Sequence, residues 1–345
     1  MIRSRKLFGL FILFAALAIG GAFAGCGGGN SANIITGSTA IPFISGTIYI
    51  SDPSKNQLVI LAPSPGPNSI PASPITGSNT QLNGPQSMAF DGNHNLYVSN
   101  YNATTQASLI TVFAVGAQNN QTPTLSISGS STQLGRVFGI AVDSSLNMYV
   151  ANCSNASTNC STGTSSILIF AANATGNVAP TAVISGSTTG LSGPRGLGFD
   201  TAGNLWVANS GNASVTEYAT PILPSAGNLT PKAVIIGSAT GLKTPSDVIL
   251  DGNTPSNLYV ADSTANAIFV FPGTSNGNAS PFHAIAGSST ALNAPSGVAL
   301  AADGTLYVAN TTNVLLFPSQ STGNIAPEAT LSQTLSSVSD VELSI

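Results

Sequence analysis

The chain has 345 residues, of which only 6% are charged, while Gly and Pro number 36 and 21. Lys and Arg together number 8 against 12 acidic residues, which leaves no clustered basic face for a nucleic-acid backbone. No long window carries the i, i+3, i+4 apolar stripe of an amphipathic helix. Short runs rich in Val, Ile, Thr and Tyr, punctuated by Gly, Asn and Pro, predict an all-β chain instead.

The first segment reads as a targeting signal. Arg3, Arg5 and Lys6 form a basic start, and residues 7–18 are an apolar run too short to span a bilayer comfortably. The next motif, FAGC at 23–26, resembles a bacterial lipobox, with Phe23 in place of the usual Leu. That resemblance implies a lipoprotein signal peptide over 1–25 and a lipidated Cys26 as the new N-terminus, anchored in a membrane by its acyl chains. It implies a cell-envelope address facing periplasm or exterior; a plain signal peptide cut nearby is the alternative. Residues 26–43, starting CGGGNSAN, read as a Gly/Ser-rich tether. Removing residues 1–25 takes three of the eight basic residues and none of the acids, leaving five against twelve.

From residue 44 onward the chain repeats. A turn followed by a Tyr- or Trp-centred strand recurs as GTIYISD, HNLYVSN, LNMYVAN, GNLWVAN, SNLYVAD and GTLYVAN. Its aromatics are Tyr49, Tyr97, Tyr149, Trp206, Tyr259 and Tyr307, spaced 48 to 57 residues apart. An apolar strand precedes most of these turns (QSMAFD, FGIAVD, RGLGFD, SDVILD, SGVALA), and another follows (LVIL, ITVF, ILIF, VTEY, IFVF, VLLF). Each unit closes on a tail such as PITGSNTQL or VISGSTTGL, decaying to ATLSQTL in the last. Four strands per unit and six units predict a six-bladed β-propeller. A lone sheet cannot cover both its faces, whereas a ring of sheets covers all of them. Within the third unit, Cys153 and Cys160 bracket a polar loop, CSNASTNC. In an oxidising compartment they suit a small loop-closing disulfide; two free thiols are the alternative.

The two ends refine the topology. The first unit lacks the strand before its turn, and the chain finishes with SDVELSI, 339–345, which matches SDVILDG at 246–252. Residues 338–345 are therefore expected to complete the first blade and close the ring.

These segments resemble the NHL-repeat propellers, as in PRGLGFDTAGNLWVAN (194–209) and PSGVALAADGTLYVAN (295–310). The resemblance spans 44–345, although the units here are longer, the excess lying in a G-N-x-x-P loop (GNVAP, GNLTP, GNASP, GNIAP). It implies either a binding module or one of the lyases and metal-dependent lactonases built on such propellers, which place His, Glu or Asp at the channel mouth. The only histidines, His94 and His283, fall in a turn and at the start of an outer strand. Asp91, Asp143, Asp200 and Asp251 recur at one turn position, as capping residues do. No G-x-S-x-G sits at a strand–helix elbow with a His placed to activate its Ser, and no phosphate loop or dinucleotide fingerprint is present.

Residues that break the repeat at the channel mouth are better candidates. The repeat puts Gln86, Phe138, Arg195, Ser246, Ser296 and Ser339 in one ring, and Ser87, Gly139, Gly196, Asp247, Gly297 and Asp340 in the next. Arg195, Asp247 and Asp340 are the odd ones out, and are expected to bind a polar ligand or to form an ion-pair plug. The reading is a non-catalytic, surface- or envelope-anchored binding or scaffold propeller for a protein, glycan or small ligand, without a cofactor. The alternative is a metal-dependent propeller lyase or lactonase with a divalent metal such as calcium in the channel.

Overall fold

The structure is a computed structural model, which describes residues 44–63, 65, 71–154, 160, 165–220, 222, 227–332 and 335–344. Cys26, the signal segment 1–25 and the tether 26–43 lie outside the described residues. Six four-stranded antiparallel sheets form the propeller, and five of them are continuous in sequence. Blade 1 is the exception. Its strands Ile48–Asp52, Gln57–Leu61 and Ile75–Thr76 are joined by Asp340–Leu343 as the innermost strand. The last strand pairs Ile50 with Val341 and Ser51 with Asp340, and the Gly46 N–H donates to the Ser344 carbonyl. The ring is thus closed by the end of the chain, as the two termini of the sequence require.

Strand alternation explains why a ring is the stable arrangement. In blade 4, Leu205 and Val207 pack toward blade 3, while Trp206 and Ala208 pack toward blade 5. Six apolar clusters result, one in each gap between neighbours, including one that joins blade 6 to blade 1. Trp206 is 1% exposed and Tyr218, Phe113, Phe170, Phe271 and Phe317 are fully buried. Each such side chain contributes about 1.5–3 kcal/mol on burial.

The G-N-x-x-P loops and the G-S-x-T tails prove to be partners. The loop of one blade reaches the outermost strand of the blade before it, bridging Ile127 to Gly176, Ile235 to Gly277 and Ile285 to Gly323. The loop asparagine then caps the preceding tail: Asn228 Oδ1 accepts the Thr188 N–H at 2.9 Å, and Asn177, Asn278 and Asn324 do the same for Ser131, Ala239 and Ser289. The tail glycine must be glycine. Gly186 has φ +126°, and a Cβ there would overlap the Asn228 side chain. A buried threonine completes each turn, as Thr189 Oγ1 donates to the Gly186 carbonyl and accepts from the Leu191 N–H.

The remaining repeated polar residues act locally. The strand-end Asn209 accepts from the Ser192 N–H, and Asp262 at the same position accepts from Lys243 and Thr244. Asp200 Oδ1 takes the N–H groups of Ala202 and Asn204, while its other oxygen takes the Asn204 amide; Asp91, Asp143 and Asp251 cap their own turns alike. A disulfide joins Cys153 to Cys160, with their Cα atoms 5.5 Å apart. Among the described residues no helix is long and apolar enough to cross a membrane.

Candidate functional site

The inner strands Pro85–Phe90, Arg136–Val142, Pro194–Phe199 and Pro245–Leu250 each lose register near their starts, between Pro85 and Ser87, Val137 and Ile140, Pro194 and Leu197, and Pro245 and Asp247. Such bulges re-aim side chains. Here they free Gln86, Phe138, Arg195 and Ser246 from the ladder. In blades 6 and 1 the equivalent residues, Ser296 and Ser339, directly precede the first paired residue, Gly297 and Asp340. All six line one cavity of about 80 Å³ with Ser87, Gly139, Gly196, Asp247 and Asp340. The structure therefore brings both sequence-derived rings to one end of the channel, Gly297 alone standing back from the cavity.

The three charged residues do not meet as an ion-pair plug. Among the described residues the only ion pair is Lys232–Glu217, on another strand pair of blade 4. Arg195 instead stacks on Phe138, with its guanidinium carbon 4.1 Å from the ring centroid, and its Nε donates to Ser210 Oγ at 3.3 Å. Burial, and then the like charge of Arg136, lower its pKa to about 10.

Each aspartate straddles three blades. Asp247 Oδ2 accepts the Val298 N–H of blade 6 at 2.9 Å, and its Oδ1 occupies space that a Cβ at Gly196 of blade 4 would fill. Asp340 repeats the device, accepting the Met88 N–H of blade 2 at 2.8 Å while lying against Gly297 of blade 6. This is why glycine precedes each aspartate around the ring. Burial pushes the Asp340 carboxyl up to about 7, and burial together with the Asp340 charge raises Asp247 well above the usual carboxylate range.

A third carboxyl joins them. Glu342 lies one turn of the pleat deeper and lines a second stretch of channel, about 190 Å³, with Asp247 and Asp340. Burial and the two aspartate charges raise its pKa as well. Sequence reasoning missed Glu342, although the same comparison finds it: SDVELSI carries Glu where SDVILDG carries Ile249. It also missed Arg136, whose guanidinium lies 4.9 Å from the Phe138 ring and 5.1 Å from Tyr101.

The three carboxyls do not fit a divalent metal. Among the described residues no group of three or more His, Cys, Asp or Glu is arranged to hold one. Two of the carboxylates already accept backbone N–H groups, Asp247 from Val298 and Asp340 from Met88. Neither histidine is near. His94 sits in the turn after the inner strand, at the opposite end of the channel, and His283 stacks on Phe282 on an outer strand. A larger cavity of about 480 Å³ between blades 3 and 4 is lined by Asp143 and Asp200, both occupied as turn caps.

Fold and site together define a six-bladed propeller with a polar, bulge-built channel mouth over a pocket of protonatable carboxyls. No family model and no curated protein matches the sequence. Solved structures do match in fold. A protein of unknown function from Bacteroides caccae superposes with TM-score 0.57 at 12% identity, covering 87% of this chain and 99% of that one. The periplasmic gluconolactonase of Pseudomonas aeruginosa gives 0.58 at 13% identity, covering 84% and 83%. The WD40 propeller domain of Doa1 gives 0.54 at 8% identity, covering 86% and 82%. At these identities the likeness is one of fold.

Proposed function

We propose that the protein is a non-catalytic, NHL-type binding propeller, held in a bacterial envelope through lipidated Cys26, whose channel mouth receives a small polar group. That group is free in the periplasm or exterior, or is presented by an envelope protein or glycan. The observation that carries the reading is the mouth itself: a cavity of about 80 Å³ rimmed by Gln86, Ser87, Ser246, Ser296 and Ser339, with Arg195 paired to no carboxylate among the described residues. Small ligands are held by concave sites with a few convergent polar groups, and this end of the channel has that form. The lipobox-like FAGC motif supports the anchor, and the turn-strand pattern of 194–209 supports the NHL type.

The test is a thermal-shift screen of neutral sugars, amino acids and hydroxy acids on the full chain and on Ser246→Trp, which fills the mouth. The reading expects at least one compound to raise the melting temperature of the first and not the second. A panel that moves neither refutes it.

A propeller lactonase or lyase is the second reading. It draws on the fold likeness to the P. aeruginosa gluconolactonase and on a buried carboxyl titrating at about 7, which suits general acid–base work. Lactone hydrolysis by the purified protein, lost in Asp340→Asn and Asp247→Asn, would establish it. Metal analysis and a melt with chelator address the metal-dependent form; stoichiometric metal with a chelator-sensitive melt would favour it over the binding reading.

A further inference from the structure

Beyond residue 25 this chain has only two arginines, Arg136 and Arg195, and the fold sets both against one phenylalanine. They come from neighbouring inner strands, Arg136–Val142 of blade 3 and Pro194–Phe199 of blade 4. Neither forms an ion pair among the described residues. Arg136 Nε is buried and has no hydrogen-bond partner there, while Arg195 has a single bond, from Nε to Ser210. Two partly desolvated like charges without a counter-ion are costly to hold together. Nothing in the repeat demands them, since the matching positions are Gly193 for Arg136 and Phe138 for Arg195.

The rest of the mouth has the opposite hydrogen-bonding character. The Ser246 hydroxyl donates to the Ala261 and Pro295 carbonyls, and Ser296 donates to Ala309 and Val338. Gln86 Nε2 donates to the Gly84 carbonyl. The single proton of each serine is used in holding the blades, so what Ser246 and Ser296 offer a ligand is oxygen lone pairs, and Gln86, with one amide N–H turned back on Gly84, adds its Oε1 as an acceptor. One side of the mouth therefore presents cationic donors and the other presents acceptors.

We propose that the mouth binds a small hydroxylated carboxylate, its carboxylate on the Arg195 guanidinium beside Arg136 and its hydroxyls donating to Ser246, Ser296 and Gln86. This rests on the channel mouth being a binding site and names what it takes. Arg195 offers the fork of donors that suits a planar carboxylate. A neutral polyol lacks the anion that would relieve the arginine pair. A simple inorganic anion lacks the hydroxyl donors that the far side accepts.

The test is calorimetric titration of the full chain with D-gluconate, with sorbitol as the uncharged polyol of equal length, and with inorganic phosphate. Gluconate is expected to bind at least about ten-fold tighter than either, as a charge-assisted bond implies. Arg195→Gln should abolish that preference, Arg195→Lys should keep part of it, and Arg136→Gln should reduce it. Unchanged melting of these variants shows that the fold is intact. If sorbitol matches gluconate, or if Arg195→Gln leaves gluconate binding untouched, the inference fails, while loss of binding in Ser246→Trp would still uphold the pocket. If phosphate binds tightest, the hydroxyl half fails. If no probe binds, the inference fails, and the broader screen alone decides the pocket.

Discussion

Asp340 makes the structure answerable to a pH series. The residue is 6% exposed, and burial pushes its carboxyl up to about 7 against the opposing hydrogen bonds from Met88, Ser87 and Val341. In the unfolded chain an aspartate titrates near 3.9. The folded protein therefore holds this proton more tightly than the unfolded chain does. The resulting stability is fully present below about pH 4 and is lost as the pH rises towards about 7. Between pH 5 and pH 8 about two pH units of that gap are crossed, which at about 1.4 kcal/mol per unit is roughly 3 kcal/mol. For a chain of this size about 1 kcal/mol corresponds to ~2 °C, so the melting temperature should fall by ~6 °C. Asp247 and Glu342 shift in the same direction and can only deepen the fall. Asp52 works the other way: hydrogen bonds from Ser336, Ser54 and Ser337 outweigh its burial and lower its pKa, so its contribution is lost only on strong acidification. Scanning calorimetry at constant ionic strength measures the slope, and Asp340→Asn should flatten much of it. A melting temperature that is level or rises from pH 5 to pH 8 would refute the reasoning. It would mean that these carboxyls are ionised and partnered in the folded protein.

Two further outcomes follow from the way the blades are joined. Asn228→Ala leaves the Thr188 N–H without its acceptor and should cost about 1–2 kcal/mol in urea denaturation, while Gly186→Ala, which drives a Cβ into the same asparagine, should cost more. Deleting residues 339–345 removes the inner strand of blade 1 and exposes the cluster it shares with blade 6, so the single cooperative melt should broaden or vanish; an unaltered melt would mean that the ring does not depend on this closure.

Much of the site was legible because a propeller converts sequence period into spatial rings. Residues at matching places in each unit must lie at matching heights around one axis. Aligning six units therefore assembled the mouth from Gln86 to Ser339 without coordinates, and departures from the pattern singled out Arg195, Asp247 and Asp340. The closing strand was legible for a similar reason, because SDVELSI at 339–345 is a first strand displaced to the end of the chain. Glu342 was within reach of the same comparison carried one ring deeper.

What a repeat alignment does not encode is the relation between neighbouring blades. Sheet twist and side-chain rotamers decide it, and both exist only in three dimensions. Placing Asp247 and Asp340 in the ring next to that of Arg195 suggested an ion-pair plug as one outcome; instead each aspartate reaches for a backbone N–H of the next blade, and the arginine lies on Phe138. The asparagine of each G-N-x-x-P loop looked like mere added length until the loop was found capping the tail of the preceding blade. By itself the sequence determined the number of blades, the order of their strands, the closure of the ring and the membership of the channel mouth, since all of these are properties of a period. The tertiary structure alone decided that two arginines some sixty residues apart share one aromatic ring, with no counter-ion among the described residues, because that juxtaposition depends on which way side chains turn in the narrow gap between blades 3 and 4.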